Sequence, residues 1–250
     1  YGGAGLGSCQ SDTMTFTGAN QVTIGLGVNN LKVYTSAPNA AADSDPSNDT
    51  VNVGLAAPLA GDYIIGAAPS DFPDLNSAIA AAQSRGIGAR TVFKIKTGVY
   101  NGTYTIANIP GLSANSTLNI TSLAGHRDSV RLEFFYTTTN TQVIAMGASF
   151  VNLDKITVRQ TNGNSTATNF IIRYNGTVQN DTINDCVIWG PIFGVDGTGT
   201  TSYGLYVNGN NTNNLIYTNN YFKGSFYGNY FFGNSATYSV KNTLFQNNLF

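Results

Sequence analysis

The chain has 250 residues, enough for one large domain or two small ones. Lys and Arg total 12 against 13 Asp and Glu, which leaves a formal net charge of −1. This balance excludes the basic surface that attracts nucleic acid. The polarity comes from neutral groups instead, since the sequence holds 31 Asn, 28 Gly and 47 Ser plus Thr. No apolar run approaches the ~18 residues of a membrane-spanning helix, so we expect no nucleic-acid partner and no membrane insertion.

Few side chains of this sequence can bind a metal ion. Cys9 and Cys186 are too few for a disulfide framework, and the sequence leaves open whether they are free. His126 is the sole histidine, whereas a zinc site needs clustered His and Cys ligands. We therefore expect no metal site and no cofactor, apart from the calcium alternative described below.

The first part of the chain predicts short strands and then a linker. Val, Ile, Thr and Tyr are concentrated in residues 31–35 and 50–53, as in strands. Residues 56–61 are rich in Ala, Pro and Gly and indicate a linker. We expect residues 1–58 to form a short β-sandwich-like segment and residues 59–250 to form a second domain.

One helix is predicted, over about residues 71–84. Ser70 or Asp71 can cap its N-terminus, and Pro73 suits its first turn. Gly86 can end it. The pattern that predicts one apolar helix face consists of Leu75, Ala78, Ile79 and Ala82.

The second half of the sequence repeats itself. Asp154 aligns with Asp185, Asn219 and Asn247, at intervals of 31, 34 and 28 residues. Repeats of this length indicate a solenoid, a propeller or an array, and ~30 residues is short for a four-stranded propeller blade. Each unit reads as strand–turn–strand, which favours a parallel β-helix with equivalent residues ~4.8 Å apart along the axis. Stacked Asn side chains at the bends would hydrogen-bond along it, and the helix would cover its first coil.

The start of this second domain resembles a known family. Residues 61–106 contain the predicted helix followed by "VFKIKTGVYN" (Val92–Asn101), and a turn at Ile109–Gly111 comes next. This pattern resembles the right-handed parallel β-helix domains of the pectin-lyase-like superfamily, found in large bacterial surface proteins exported by type IX secretion. Residues 29–53 resemble the last strands of the immunoglobulin-like modules that precede such domains.

The resemblance implies the fold class and the location of the protein. The implied fold is all-β, a right-handed parallel β-helix with an N-terminal capping helix, preceded by the end of an immunoglobulin-like module. It implies an extracellular or cell-surface protein joined to the remainder of a longer polypeptide. The β-helix is accordingly expected to be truncated at its C-terminal end.

Relatives with this fold include polysaccharide lyases and hydrolases. Glycoside hydrolysis usually needs two carboxylates ~5–10 Å apart, and Asp154 and Asp185 are the candidate pair, or candidate calcium ligands. Asn219 and Asn247 at the next equivalent positions favour a bend-forming role instead. His126 lies in a predicted turn before a strand. None of the catalytic motifs of those enzymes is evident, so we assign no catalytic residue and keep a lyase or hydrolase as the alternative.

Four Asp-Ser/Thr-apolar triplets resemble the O-glycosylation signal of the bacteria that make these surface proteins. They occur more often than the composition predicts by chance. A strand-edge Thr beside a bend Asp is the alternative explanation. The candidate acceptors are Thr13, Thr50, Ser129 and Thr182.

Aromatic side chains are frequent near the end of the chain. Alternate residues of a strand point outward, and aromatic rings on a surface can stack on sugar rings. The candidates for contacting a polysaccharide or cell-surface glycan are Trp189, Tyr221, Tyr227 and Tyr230. We expect a non-catalytic extracellular structural or adhesive module of a larger bacterial surface protein, with glycan binding and its own O-glycosylation as candidate properties.

Overall fold

The computed structural model describes residues 28–34, 50–135, 141–161, 168–191, 202–208, 211–225, 227–233 and 239–250. The chain divides into two compact units, residues 1–57 and 58–250. The described part of the first unit is a two-stranded antiparallel sheet of β1 (Val28–Tyr34) and β2 (Thr50–Ala56). The strands predicted near residues 31–35 and 50–53 are therefore confirmed.

The second unit is an all-β, right-handed parallel β-helix in which every strand pair is parallel. Sheet 1 contains β3 (Leu59–Ile65), β4 (Ile87–Ile95), β7 (Leu118–Ser122), β10 (Val151–Asp154), β14 (Thr182–Asn184), β18 (Ile216–Thr218) and β22 (Leu244–Gln246). Sheet 2 contains β5 (Gly98–Asn101), β8 (Val130–Phe135), β11 (Thr157–Thr161), β15 (Val187–Trp189) and β19 (Tyr221–Lys223).

Two further sheets complete the coils. Sheet 3 contains β6 (Tyr104–Ala107), β9 (Thr141–Gly147), β12 (Asn169–Tyr174), β16 (Ser202–Asn208) and β20 (Tyr227–Phe232). The short sheet 4 contains β13 (Val178–Gln179), β17 (Thr212–Asn213) and β21 (Val240–Lys241). Successive coils begin at β4, β7, β10, β14 and β18, and their inward Leu, Ile, Val and Phe side chains form one continuous buried core.

The boundary between the two units falls within the predicted linker at residues 56–61, but the linker itself is shorter than predicted. β2 ends at Ala56 and β3 already begins at Leu59. The Leu59 side chain is fully buried, and its N–H donates to the Gly86 carbonyl at 2.8 Å. Ala, Pro and Gly are typical of linkers, but here one buried leucine is enough to place the segment in the first strand of sheet 1.

The predicted helix is confirmed as α1 (Leu75–Arg85), with a different N-terminus. Asp74 caps it by accepting the Ser77 N–H at 2.7 Å. Asp71, a predicted cap, instead accepts the Ile64 N–H at 2.7 Å and so belongs to the preceding turn. The helix ends at Gly86 as predicted. The buried face is the predicted one, Leu75, Ala78, Ile79 and Ala82.

The position of α1 matches that of a cap. It packs against β3, β4 and β6, which are the first strands of sheets 1 and 3. It therefore covers apolar side chains at the start of the solenoid, as the sequence predicts. At 11 residues, α1 is too short to cross a membrane, and no other helix of the described residues is long and apolar enough to do so.

The register of sheet 1 corrects the predicted repeat alignment by one residue. Asp154 pairs with Asn184, not with Asp185. Asp185 follows in the next turn in the left-handed conformation (φ 49°), and its counterpart one coil earlier is Lys155 (φ 51°). The later coils place Asn219 and Asn247 at this same left-handed position. Asn and Asp adopt that conformation most readily. Because a lysine occupies the position in this one coil, the alignment from sequence matched Asp185 with Asp154 instead of Lys155.

Asparagines at the bends connect successive coils, as predicted. Asn220 Oδ1 accepts the Cys186 N–H at 2.9 Å, and its Nδ2 donates to the Ile183 carbonyl at 2.8 Å. One coil later, Asn248 repeats both bonds with the Asn220 N–H and the Tyr217 carbonyl, each at 2.8 Å. The ladder satisfies backbone groups that the bend would otherwise leave unpaired.

Candidate functional site

The carboxylate of Asp154 is fully engaged on the outer side of sheet 1. Its Oδ1 accepts Asn184 Nδ2 at 2.8 Å. Its Oδ2 accepts Lys155 Nζ at 2.9 Å and Thr121 Oγ1 at 3.3 Å. The hydrogen bond to Asp154 raises the pKa of Lys155. Asp154 thus joins three consecutive coils through side-chain contacts.

Asp185 has a different partner from Asp154. Arg127 Nη1 lies 3.2 Å from Asp185 Oδ1 and donates to the Asn219 carbonyl at 3.3 Å. The two carboxylates therefore each face a cation of their own, and they occupy non-equivalent positions of their coils. Within the described residues, no three His, Cys, Asp or Glu side chains come together as a metal-ligand set.

Three shallow grooves run along the β-helix, with volumes of about 330, 340 and 370 Å³. Asn, Gln, Thr and Ser supply most of their polar lining, and Lys241 is the one charged residue among the three linings. Neither Asp154 nor Asp185 lines any of these three grooves. The carboxylates that act in glycoside hydrolysis must reach the bound substrate, and no Asp or Glu lines these three grooves.

Both faces of the Trp189 ring are covered. Sheet 2 pairs Trp189 with Arg159 in the preceding coil and Lys223 in the next. Arg159 Cζ and Lys223 Nζ each lie 4.0 Å from the centre of the ring, on opposite sides along the axis. These are cation–π contacts, and they leave neither face open to a sugar ring. Tyr221 also lies in sheet 2, one strand away.

An aromatic face forms on sheet 3, separate from the main core cluster of the coils, although one of its members, Phe170, is itself buried. Phe170, Tyr203 and Tyr227 occupy successive coils, with ring centres 5.5 and 5.0 Å apart. Tyr206 and Tyr230 form a second row at 5.3 Å. We use the name aromatic face for the set Phe170, Tyr203, Tyr206, Tyr227, Tyr230 and Phe232. The structure thus unites the predicted Tyr227 and Tyr230 and separates them from Trp189 and Tyr221.

The orientation of these rings decides what the aromatic face can bind. Stacked neighbours are within 11–22° of parallel, so each ring covers a face of the next one along the axis. The face therefore presents mainly ring edges. Tyr227 and Phe232 are its most exposed members, at 43% and 46%. Burial and the neighbouring tyrosines raise the pKa of Tyr203.

The candidates chosen from the sequence include Tyr227 and Tyr230 but not the other four members of the aromatic face. Phe170 and Tyr203 are 33 residues apart, whereas Tyr203 and Tyr227 are only 24 apart, because the turns differ in length. The usable signal was the interval of 33 residues between Phe170 and Tyr203, which matches the length of one coil. Arg173 Cζ lies over the Phe170 ring, 4.8 Å from its centre.

The structure describes three of the four candidate glycosylation acceptors. Thr50 in β2 and Thr182 in β14 are half-buried. The Ser129 hydroxyl donates to the His126 carbonyl at 2.6 Å and lies 2.6 Å from Ser122 Oγ. His126 is exposed in the turn before β8, as predicted. Thr13 lies outside the described residues.

No protein-family model, curated protein or solved structure matches this chain.

Proposed function

We propose that the protein is a non-catalytic structural or adhesive module of a larger extracellular surface protein. One observation carries the proposal: the side chains best suited to chemistry are occupied by contacts between coils. Asp154 and Asp185 are bound to cations and amides, and Trp189 lies between two cations. Such contacts stabilise a solenoid, in which each repeat contacts only its neighbours.

The alternative is a polysaccharide lyase or hydrolase that uses Asp154 and Asp185. This requires both carboxylates to release their present partners and reach a common substrate. Both oxygens of Asp154 are hydrogen-bonded, and Arg127 covers Asp185. A calcium ion between them would have to displace Lys155 and Arg127, so the geometry favours the non-catalytic function.

The aromatic face is the best surface for an adhesive contact. It combines aromatic ring edges with phenol groups, and Tyr227 and Phe232 extend furthest into solvent. Aromatic side chains with one apolar and one polar end are common in binding surfaces. We propose a polysaccharide or cell-surface glycan as its ligand, with O-glycans on the chain itself as a separate proposal.

Glycan binding can be measured with the full chain by affinity electrophoresis against neutral and acidic polysaccharides. We expect retardation by at least one polysaccharide, lost in Tyr227→Ala and Phe232→Ala. Trp189→Ala is the matched control, since its ring has no open face, and it should bind as the wild-type protein does. Equal loss in all three variants, or no retardation by any polysaccharide, would remove the aromatic face from the proposal.

A further inference from the structure

One carboxyl group lies inside the β-helix. Asp181 immediately precedes β14 and is 1% exposed. Its Oδ1 accepts the Val151 N–H at 2.9 Å, whereas its Oδ2 has no hydrogen-bond partner. The register of sheet 1 places Val151 and Leu215 at the equivalent positions of the adjacent coils. Asp181 therefore interrupts a stack of apolar side chains.

Two buried tyrosines are the polar neighbours of Asp181. Tyr174 from β12 and Tyr217 from β18 are both fully buried. Burial raises the pKa of both phenols, and the Asp181 carboxylate raises them further. The groups that act on Asp181 itself are the N–H groups of Val151 and Phe150, with no cation among them.

Among the residues that the structure describes, no cation provides a counter-charge to an ionised carboxylate in this position. Burying an unpaired charge is far more costly than burying a neutral polar group. Protonation removes the charge and turns Oδ2 into a donor, and a phenol oxygen is able to accept from it. The geometry of the site therefore favours the neutral acid.

We propose that Asp181 is a buried proton-binding site, which holds a proton in the folded β-helix at neutral pH and releases it when the surrounding coils open. The contact between the third and fourth coils is therefore more stable at acidic pH than at alkaline pH. The inference does not depend on the proposed function, because it concerns the interior of the coils and not their surface.

The direction of the pH dependence follows from proton linkage. Burial raises the pKa of Asp181 well above that of an exposed carboxyl, and the two N–H groups oppose this. In the unfolded chain the group releases its proton above pH ~3.9. The folded state thus binds more protons than the unfolded state above that pH, so the contribution of Asp181 to stability declines as the pH rises through this window.

The test compares wild-type protein with Asp181→Asn by urea unfolding between pH 4 and pH 9. Relative to Asp181→Asn, the unfolding equilibrium constant of the wild type should rise with pH, by up to about tenfold per pH unit, until the folded-state pKa is passed. Asp62→Asn is the matched control on the surface. Because the hydrogen bond from Lys94 lowers the pKa of Asp62, the contribution of Asp62 to stability changes only at and below pH ~3.9, so the difference between this variant and the wild type should stay constant between pH ~5 and pH ~9.

A second measurement decides the case if Asp181→Asn does not fold. The infrared spectrum of folded wild-type protein at pH 7 should contain the carbonyl band of a protonated carboxyl in a solvent-shielded site. Asp181→Leu, which copies Leu215 of the next coil, should lack that band. Absence of the band in the wild type, or a difference from Asp181→Asn that does not change with pH, would overturn the proposal. Stabilisation of the wild type alone by sodium, potassium or calcium would also overturn it, because the bound species would then be a metal ion.

Discussion

Arg127 and Asp185 form an ion pair across 58 residues of sequence, with Nη1 3.2 Å from Oδ1. Arg127 belongs to the turn between β7 and β8, two coils before Asp185. Its second contact, with the Asn219 carbonyl, extends to a third coil. The contact therefore acts along the solenoid axis, in the direction in which coils would separate.

This ion pair predicts a small, salt-sensitive coupling. Both side chains are 37% exposed, and pairs of this kind contribute about 0.2–1 kcal/mol. A double-mutant cycle with Arg127→Ala and Asp185→Asn, measured by urea unfolding, should give that coupling at low salt and less at high salt. A coupling that grows with salt would contradict the assignment.

The buried asparagine ladder predicts a larger effect at Asn220. Its side chain is 1% exposed and bonds to one backbone N–H and one carbonyl. Asn220→Ala leaves both groups unsatisfied, which should cost about 1–3 kcal/mol of unfolding free energy. Asn175→Ala, at an exposed turn, is the control and should change stability little. Equal effects in the two variants would mean that the ladder does not stabilise the coils.

We predict that an alanine at Gly204 destabilises the protein, whereas an alanine at Gly228 does not. A Cβ on Gly204 would overlap the Gly228 carbonyl, whereas a Cβ on Gly228 would meet only the Phe250 ring at 3.8 Å. Gly204→Ala should destabilise the protein by about 1–3 kcal/mol through backbone displacement. Gly228→Ala should be tolerated, as thermal unfolding of both variants can show. The opposite ranking would mean that the coils approach differently in sheet 3.

Cys186 should be chemically inert in the folded protein. Burial raises the pKa of its thiol to about 12, so the reactive thiolate is scarce at neutral pH. In a Cys9→Ala background, thiol-alkylating reagent at pH 8 should label Cys186 only after urea unfolding. Rapid labelling of the folded chain would contradict the burial of this coil.

We predict that the folded structure decides which of the candidate Ser and Thr acceptors carry O-glycans. Thr182 is half-buried, while Asp181 before it and Ile183 after it are buried, so a transferase would have to act on the unfolded triplet. At Ser129, modification would remove the proton that the hydroxyl donates to the His126 carbonyl. Peptide mapping of protein from the native source should therefore find glycans on Thr50 or Thr182 rather than Ser129. An intact mass equal to the bare chain would contradict O-glycosylation altogether.

The coils and the capping helix could be predicted because their signals are local. The apolar spacing from Leu75 to Ala82 and the asparagines of the bends are visible in short stretches of sequence. The one-residue error at Asp154 arose because Lys155 occupies a left-handed position that Asn or Asp fills in the later coils.

The aromatic face, the two cations on Trp189 and the burial of Asp181 could not be predicted in the same way. The aromatic face depends on coil register, which turns of unequal length conceal. The two cations on Trp189 come from strands 30 and 34 residues away. Asp181 reads as an ordinary bend residue in sequence, and only the coil geometry places it inside.

The most direct test of the account is turnover of polysaccharides. The full chain would be incubated with charged and neutral polysaccharides, with and without calcium, and assayed for new reducing ends and unsaturated products. The account predicts no product from any polysaccharide. Product formation that is lost in Asp154→Asn would contradict it and establish the protein as an enzyme.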